Sequence, residues 1–433
     1  MQASSPYNHR ALVLHLAMSL PALRSRATFT LAVLLVGLAA GVAGLLLALL
    51  LHAVQHLAFG YSLDALFFSH QTFLEGVRAA TPQRRVLALV GCGLVAGLGW
   101  WALYRWGRPL VSVKATLSPA APPMPPGATL IHALLQIVTV GLGSPLGREA
   151  APREVSAMLA SGLARYAGLN AEQRRVLVAC AAGAGLAAVY NVPLAGAVFA
   201  LEGLLATFSW QAALIALATS AMAAAVAWLG LGMGVQYVIG PMDIHLSLLT
   251  WAILAGPVIG LAAHAFSRLT EAARKRASRG AKLPVHALLN FTLIGLLAIS
   301  FPALLGNGKG PAQLGFDGAL TLAAAAALLC LKVLVTATTL RAGASGGLLT
   351  PGLACGALLA TLLGGLWNLL WPGAPLGAYA IIGAAAFLGT SMHLPFTAIV
   401  LVMEFTQVNH NFVVPIALAL AGALATARLL DHD

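Results

Sequence analysis

Long apolar runs alternate with short polar stretches along almost the whole chain. The first two runs cover about residues 29–54 and 85–104, and further runs lie near 128–142, 153–168, 173–190, 193–206, 209–229, 249–268, 284–303, 318–340, 352–371, 377–391, 395–406 and 412–429. A helix needs about 20 residues to cross the ~30 Å core of a bilayer, so the long runs predict membrane spans. The shorter runs predict helices that end inside the membrane, where transporters usually bind their substrate. The pattern therefore predicts an all-α polytopic membrane protein.

The polar stretches predict where helices end and which side they face. Residues 105–127 contain six prolines and cannot form one continuous helix, and a loop is predicted at 61–71. Basic residues cluster at 274–282 and at 174–175, and such clusters usually stay in the cytoplasm. Residues 1–27 are expected to form a cytoplasmic amphipathic helix rather than a signal peptide. Both termini are then cytoplasmic, in a multi-pass protein of the inner (plasma) membrane.

Composition excludes several classes of protein. Of the 433 residues, 60% are hydrophobic and only 8% are charged, whereas soluble domains carry about a quarter charged residues. The net charge of +12 resides largely between helices, so no nucleic acid partner is expected. The four cysteines are widely spaced in apolar segments, which argues against a disulfide framework and against a metal site. No HExxH motif is present, and neither an enzyme nor a cofactor is predicted.

Two groups of residues recur at an offset of about 200 positions. Pro193 precedes Glu202 by nine residues, Pro395 precedes Glu404 by nine, and the segment 147–152 has a counterpart at 347–351. These coincidences predict an internal duplication, with approximate repeats 28–229 and 249–430 in a single transport domain 1–433. The alternative is that sequence rich in Ala, Leu and Gly matches itself easily. The sequence does not decide whether the repeats run parallel or inverted.

The most informative polar feature is the Gly-rich break at 141–152, which contains Arg148 and Glu149. A carboxylate near the bilayer centre costs roughly 2.5–3.5 kcal/mol and is tolerated when it faces the bundle interior or a water-filled path. The glycines allow backbone amides to approach a ligand, and Pro152 can open a helix whose N-terminus attracts an anion. The break therefore predicts an anion site that contains a carboxylate. The alternative is a structural ion pair between Arg148 and Glu149, although adjacent residues rarely pair well.

These motifs resemble those of the CLC family of chloride channels and proton-coupled chloride exchangers. Residues 147–152, GREAAP, resemble the family's GREGP, with Ala150 and Ala151 as departures. Residues 347–351, GLLTP, resemble its GxFxP, with Leu349 in place of Phe. The segments 185–196 and 394–406 also resemble family segments, and the matches follow the family's order over nearly the whole chain.

The resemblance implies a homodimer with one pore per subunit, built from two inverted halves whose broken helices point at a central anion. Glu149 would be the gating glutamate, and its ionised carboxylate would occupy the outer anion site until it is protonated or displaced by chloride. The anion would be bound by backbone amides, those of Arg148, Glu149 and Ala150 at the outer site and of Leu348 and Leu349 at the central site. Gly147 is a further anion-binding candidate.

Other family features are degenerate here. The family's GSGIP motif is matched only by residues 109–114, in which Ser112 is the candidate anion-binding hydroxyl and Lys114 is either an inner-mouth cation or a loop lysine. The second glutamate of the exchangers is replaced by Gly203, and no tyrosine follows Tyr379 to supply the family's late hydroxyl. Glu202 is the nearest carboxylate for an internal proton route. Glu202 and Glu404 are alternatively buried carboxylates bonded to helix ends.

The resulting hypothesis is chloride transport across a lipid bilayer, as a channel or as a pathway loosely coupled to protons. A strict chloride/proton antiporter with a non-standard proton route is the alternative, and an exporter of fluoride or another anion is a more remote one. A transporter of organic carboxylates would need aromatic and polar selectors that the small-residue motifs lack.

Overall fold

The computed structural model describes residues 7–61, 72–118 and 120–432, and in these ranges the regular structure is helical apart from one isolated β-bridge. The helices are α1 (Tyr7–Phe59), α2 (Phe73–Ala79), α3 (Pro82–Trp106), α4 (Val113–Thr116), α5 (Pro126–Gly141), α6 (Ala150–Tyr166), α7 (Ala171–Tyr190), α8 (Pro193–Phe199, continued by a π-helical turn Ala200–Leu205), α9 (Trp210–Leu231), α10 (Leu246–Lys275), α11 (Lys282–Ser300), α12 (Lys309–Phe316), α13 (Leu322–Arg341), α14 (Leu349–Trp367), α15 (Leu376–Met392), α16 (Pro395–Thr406) and α17 (Val413–His432). Within the described ranges, eight helices are long and apolar enough to cross a bilayer. The prediction of an all-α membrane fold is confirmed.

The predicted apolar runs coincide with helices to within a few residues, with two differences. The backbone is helical without a break from Tyr7 to Phe59, so residues 7–27 continue into the first span instead of forming a separate helix. The short helices α2 and α12 were not predicted, because each is too short to give an apolar run. The predicted loop at 61–71 lies outside the described residues except for Tyr61. The irregular region 105–127 is confirmed, since it holds only the four-residue α4 before α5 begins.

Backbone conformation repeats at the predicted offset of about 200 residues. Left-handed residues with nearly equal φ end α7 and α15, at Asn191 (56°) and His393 (55°). A second pair follows α8 and α16, at Ala206 (52°) and Gln407 (50°). Non-glycine residues rarely adopt positive φ, so recurrence at matching positions indicates a common local fold rather than compositional similarity. The internal duplication therefore extends to the backbone.

The two repeats cap each other's helices through their matching glutamates. Glu202 accepts hydrogen bonds at the start of α16, from the Phe396 N–H (3.0 Å), the Thr397 N–H (2.7 Å) and the Thr397 hydroxyl (2.6 Å). Glu404 accepts hydrogen bonds at the start of α8, from the N–H groups of Leu194 (3.0 Å) and Ala195 (2.7 Å). Carboxylates at helix N-termini satisfy unpaired amides and complement the helix dipole. Reciprocal contacts of this kind are those that a two-fold relation between inverted repeats produces.

Replacing Glu404 with Ala should lower the unfolding temperature by a few degrees. The variant loses the acceptor for two N–H groups of α8, and loss of a helix cap costs about 1–2 kcal/mol. Thermal unfolding of the purified protein in detergent, followed by tryptophan fluorescence, measures the change. Glu271→Ala is the control, because Glu271 forms an exposed pair with Lys275 that contributes little. Equal unfolding temperatures for the two variants would contradict a stabilising role for the reciprocal caps.

Small residues allow α7 to run through the centre of the molecule. Every residue from Leu177 to Tyr190 is buried, as expected for a helix that is apolar on all sides. A Cβ atom on Gly185 would lie 2.5 Å from the Pro152 carbonyl oxygen, so α6 and α7 are in backbone contact there. This close packing brings the C-terminal end of α7 beside the N-terminal end of α6.

Candidate functional site

The predicted Gly-rich breaks meet at the centre of the fold. Gly147 and Gly347 form an antiparallel bridge in which each N–H donates to the other carbonyl at 2.8 Å. Both residues come shortly before a helix, α6 at Ala150 and α14 at Leu349. The first N–H groups of a helix have no intrahelical acceptor and carry the positive end of its dipole. The bridge therefore holds two positive helix ends side by side, one from each repeat.

The Glu149 carboxylate lies in the gap beside this bridge and is fully buried. Its Oε1 accepts a hydrogen bond from the Leu349 N–H at 2.8 Å, and its Oε2 accepts one from the Tyr190 hydroxyl at 3.1 Å. A Cβ atom on Gly147 or on Gly347 would overlap with the carboxylate. Both positions therefore have to be glycine for the carboxylate to fit.

Cationic side chains surround this carboxylate without pairing with it directly. Within the described part of the chain, Arg148 forms no ion pair with Glu149; its Nη2 donates to the Val189 carbonyl at 3.2 Å, and its guanidinium lies 4.9 Å from the centre of the Tyr190 ring. The alternative of a structural ion pair between the two neighbours is thus not what the fold adopts. Arg153 donates to the Glu149 carbonyl at 3.0 Å. The site is therefore electropositive, and among the described residues its carboxylate is held by neutral donors and by no ion pair.

Further basic groups flank the site from other helices. Arg274 of α10 donates to the Gly346 carbonyl at 3.1 Å, directly before the bridge residue Gly347. Lys309 of α12 lies close enough to Arg148 to experience its charge. Positive charge reaching the site from several elements favours an anionic occupant.

The other predicted anion-binding residues lie partly at the starts of α6 and α14 and partly at α4. Ala150 is the first residue of α6, and Leu348 directly precedes α14, with its carbonyl accepting from the Gly352 N–H. Ser112 caps α4, where its hydroxyl accepts from the Ala115 N–H at 3.1 Å, and both Ser112 and Lys114 are exposed. The structure thus brings Gly147, Arg148, Glu149 and Leu349 together, whereas the Ser112 hydroxyl is engaged within its own turn.

The carboxylate position differs from the expectation in one respect. Glu149 was expected to occupy the outer anion site, among amides of its own break. Its Oε1 instead reaches the Leu349 amide, which was assigned to the central site. The antiparallel bridge explains the difference, because it draws the start of α14 against the start of α6.

Sequence reasoning did not identify Tyr190 and Thr350 as site residues. Tyr190 ends α7 and is 3% exposed, and its hydroxyl oxygen lies 2.8 Å from Thr350 Oγ1. Tyr190 belongs to the segment 185–196 that carries part of the family resemblance, and Thr350 lies inside the GLLTP motif. Their place within those segments was the available signal.

Comparisons with known proteins agree with this architecture. The family model described as voltage gated chloride channel matches residues 92–428, a range that includes both breaks. A chloride channel protein described as ClcB-like, from Ralstonia nicotianae, is 33% identical over 318 residues, which are 69% of this chain and 72% of the relative. A voltage-gated ClC-type chloride channel ClcB from Citrobacter koseri is 27% identical over 412 residues, covering 92% of this chain and 96% of the relative. The solved structure of a slow cyanobacterial Cl−/H+ antiporter matches with a TM-score of 0.79 and 20% identity over 93% of this chain and 95% of that one, a likeness that concerns the fold alone.

Proposed function

This chain belongs to the voltage gated chloride channel family, and on that basis we propose that it transports chloride along a path gated by Glu149. The path lies in a single transport domain of a multi-pass protein of the inner membrane, with both termini in the cytoplasm. The proposed assembly is a homodimer in which each subunit has its own path, as the family resemblance implies.

The observation that carries the proposal is the Leu349 N–H, which binds an anionic group inside the membrane. In the described state that group is the Glu149 carboxylate, at 2.8 Å. Chloride needs the same kind of donor, and a backbone amide provides one without a full positive charge that would trap the ion. Protonation of Glu149, or competition by chloride, would free this donor and open the path.

We further propose that proton coupling is absent or loose. Gly203 cannot carry a proton, and the neighbouring Glu202 already accepts three hydrogen bonds from the start of α16. Glu202 stays the nearest carboxylate for a proton route, but its bonds hold it in a capping role. The Ser112 hydroxyl stays a proposed ligand at the inner end of the path, because α4 packs on α6 and α7.

The test is to record chloride and internal pH together in liposomes that contain the purified protein and carry a chloride gradient. Chloride flux without linked proton movement is the expected result, with protein-free liposomes as the background. Proton movement against its own gradient, driven by chloride, would overturn loose coupling and support the strict antiporter. The absence of chloride flux from folded protein would overturn the proposed function itself, and substituting fluoride for chloride in the same assay tests the remaining alternative.

A further inference from the structure

The Tyr190 hydroxyl has a position in the path that the family motifs do not provide. It donates to Glu149 Oε2 at 3.1 Å and lies 2.8 Å from Thr350 Oγ1. Tyr190 and Thr350 are 3% and 2% exposed, so neither hydroxyl has ready access to bulk water. A buried hydroxyl that loses its partner is destabilised, so these groups must be bonded in every state of the site.

The donor order in this group follows from the proton count. Each hydroxyl carries one hydrogen. Because Tyr190 gives its hydrogen to the carboxylate, Thr350 gives its hydrogen to the Tyr190 oxygen. Two hydroxyls in series therefore point toward Glu149, and hydrogen bonds in such a chain polarise one another.

The fold brings a tyrosine hydroxyl to the Glu149 carboxylate from α7, whereas the family's tyrosine comes from late in the chain. The chain has no tyrosine after Tyr379 that could reach the site from its C-terminal end. Tyr190 reaches it from α7 because the left-handed Asn191 ends that helix beside the start of α6. Its ring is fixed between the Arg148 guanidinium at 4.9 Å and the Phe405 ring at 5.2 Å. The hydroxyl is thus rigidly directed at the carboxylate.

We propose that Tyr190, supported by Thr350, is a ligand of the transported anion as well as of the gate, an inference that rests on the proposed function. While Glu149 is ionised and in place, the hydroxyl holds the carboxylate. When Glu149 leaves, the Leu349 N–H and the Tyr190 O–H both lose their acceptor, and an anion in the vacated position accepts from both. This chain therefore binds its anion with a hydroxyl from α7.

Other charged and titratable groups also face this carboxylate. They are Arg148 before α6, Arg153 on α6, Arg274 on α10 and Tyr237 before α10, while His52 on α1 and Lys309 on α12 lie near Arg148. A test of the Tyr190 hydroxyl must leave all the other groups unchanged. Tyr190→Phe does so, because it removes one oxygen atom and keeps the ring.

The first measurement is chloride binding by calorimetry in the Glu149→Gln background, where the gate charge is absent. Adding Tyr190→Phe should weaken chloride binding about tenfold, the usual effect of losing one hydrogen bond to a charged group. Adding Thr350→Val should weaken it less, and Thr350→Ser should restore it. Tyr379→Phe is the matched control, because Tyr379 is also fully buried and its hydroxyl donates to Asn368 Oδ1 at 2.8 Å instead of to Glu149.

The second measurement is the pH dependence of chloride flux in liposomes with Glu149 intact. Tyr190→Phe removes a bond that is stronger to the ionised carboxylate than to the protonated acid, so protonation becomes easier. The pH of half-maximal flux should rise by about one unit, whereas Tyr379→Phe should leave it unchanged. A purely structural role for Tyr190 would not move this midpoint.

The outcomes separate the two proposals. Suppose that the wild type transports chloride and that Tyr190→Phe changes neither the chloride affinity nor the pH midpoint. That result would overturn the role of the Tyr190 hydroxyl as an anion ligand and would leave the proposed function standing. No chloride flux from the wild type would overturn the proposed function first. If Tyr190→Phe does not fold, Thr350→Val decides, since unchanged affinity and midpoint in that variant would also contradict the proposal.

Discussion

Chloride flux through the Glu149→Gln variant should no longer depend on pH, whereas flux through the unchanged protein should rise as the pH falls. The carboxylate is fully buried and holds the Leu349 and Tyr190 donors in its ionised form. Protonation weakens both bonds because hydrogen bonds to a charged acceptor contribute about 1.5–3 kcal/mol each, more than neutral ones. Gln is neutral at every pH and therefore represents the released state permanently.

The size of the effect follows from the same bonds. A difference of 1.4 kcal/mol corresponds to a factor of about ten in an equilibrium, so flux of the variant near neutral pH should exceed that of the wild type by at least about tenfold. Initial chloride efflux from liposomes across a pH series measures it. A variant that kept the wild-type pH response would show that another group is the gate.

Glu154→Gln is the matched control for this experiment. Glu154 is on α6, which begins directly after Glu149, but its carboxylate is bonded to His132 at 2.8 Å and to Gln136 at 3.1 Å. Its substitution makes the same chemical change five residues further along α6, which is about 7.5 Å along the helix axis. The wild-type pH response should persist in this variant if the gate is specifically at position 149.

The features that the sequence predicted well are those with local causes. The breaks before α6 and α14 follow from glycines that favour irregular backbone and from Pro152, which fits in the first turn of a helix. The prolines of 105–127 exclude a long helix regardless of the tertiary fold. In each case the responsible residues lie within a few positions of the feature.

The features that were missed depend on contacts between distant residues. Tyr190 and Glu149 are 41 positions apart, and Leu349 is 200 positions from Glu149. Whether a tyrosine at the end of an apolar helix faces lipid or a polar site depends on how that helix packs, which no local pattern encodes. The duplication gave partial information, because it predicted that Gly147 and Gly347 are equivalent. It did not predict that they pair with each other.

Glu202 illustrates how a local pattern can allow two functions. Its spacing from Pro193 was compatible with a proton route or with a bond to a helix end. The fold places the start of α16 against its carboxylate, so that three donors occupy both oxygens. A helix N-terminus from the other repeat therefore accounts for the conformation of this side chain.

Replacing Gly347 with Ala should nearly abolish chloride binding and flux at every pH. The φ angle of Gly347 is not in the left-handed region, so Ala is compatible with the backbone. The new Cβ atom would overlap with the space that the Glu149 carboxylate occupies on the Leu349 amide. If the transported anion takes that same space, it is excluded together with the carboxylate. Overpacking of this kind costs about 1–3 kcal/mol, which is roughly five- to 150-fold in binding.

Combining Gly347→Ala with Glu149→Gln separates an effect on the gate from an effect on the anion. Removing the gate charge should not restore binding or flux, because the methyl group still fills the position beside Leu349. Gly352→Ala is the control on the same helix, since its Cβ would meet only Ser391 Oγ at 3.4 Å and Leu388 Cδ1 at 3.9 Å. If Gly347→Ala instead gives high flux that is independent of pH, the carboxylate alone uses this gap and the anion passes elsewhere. If the double variant gives no flux, the Glu149 carboxylate and the transported anion occupy the same position. Glu149 then closes the path by competing with the anion for that position.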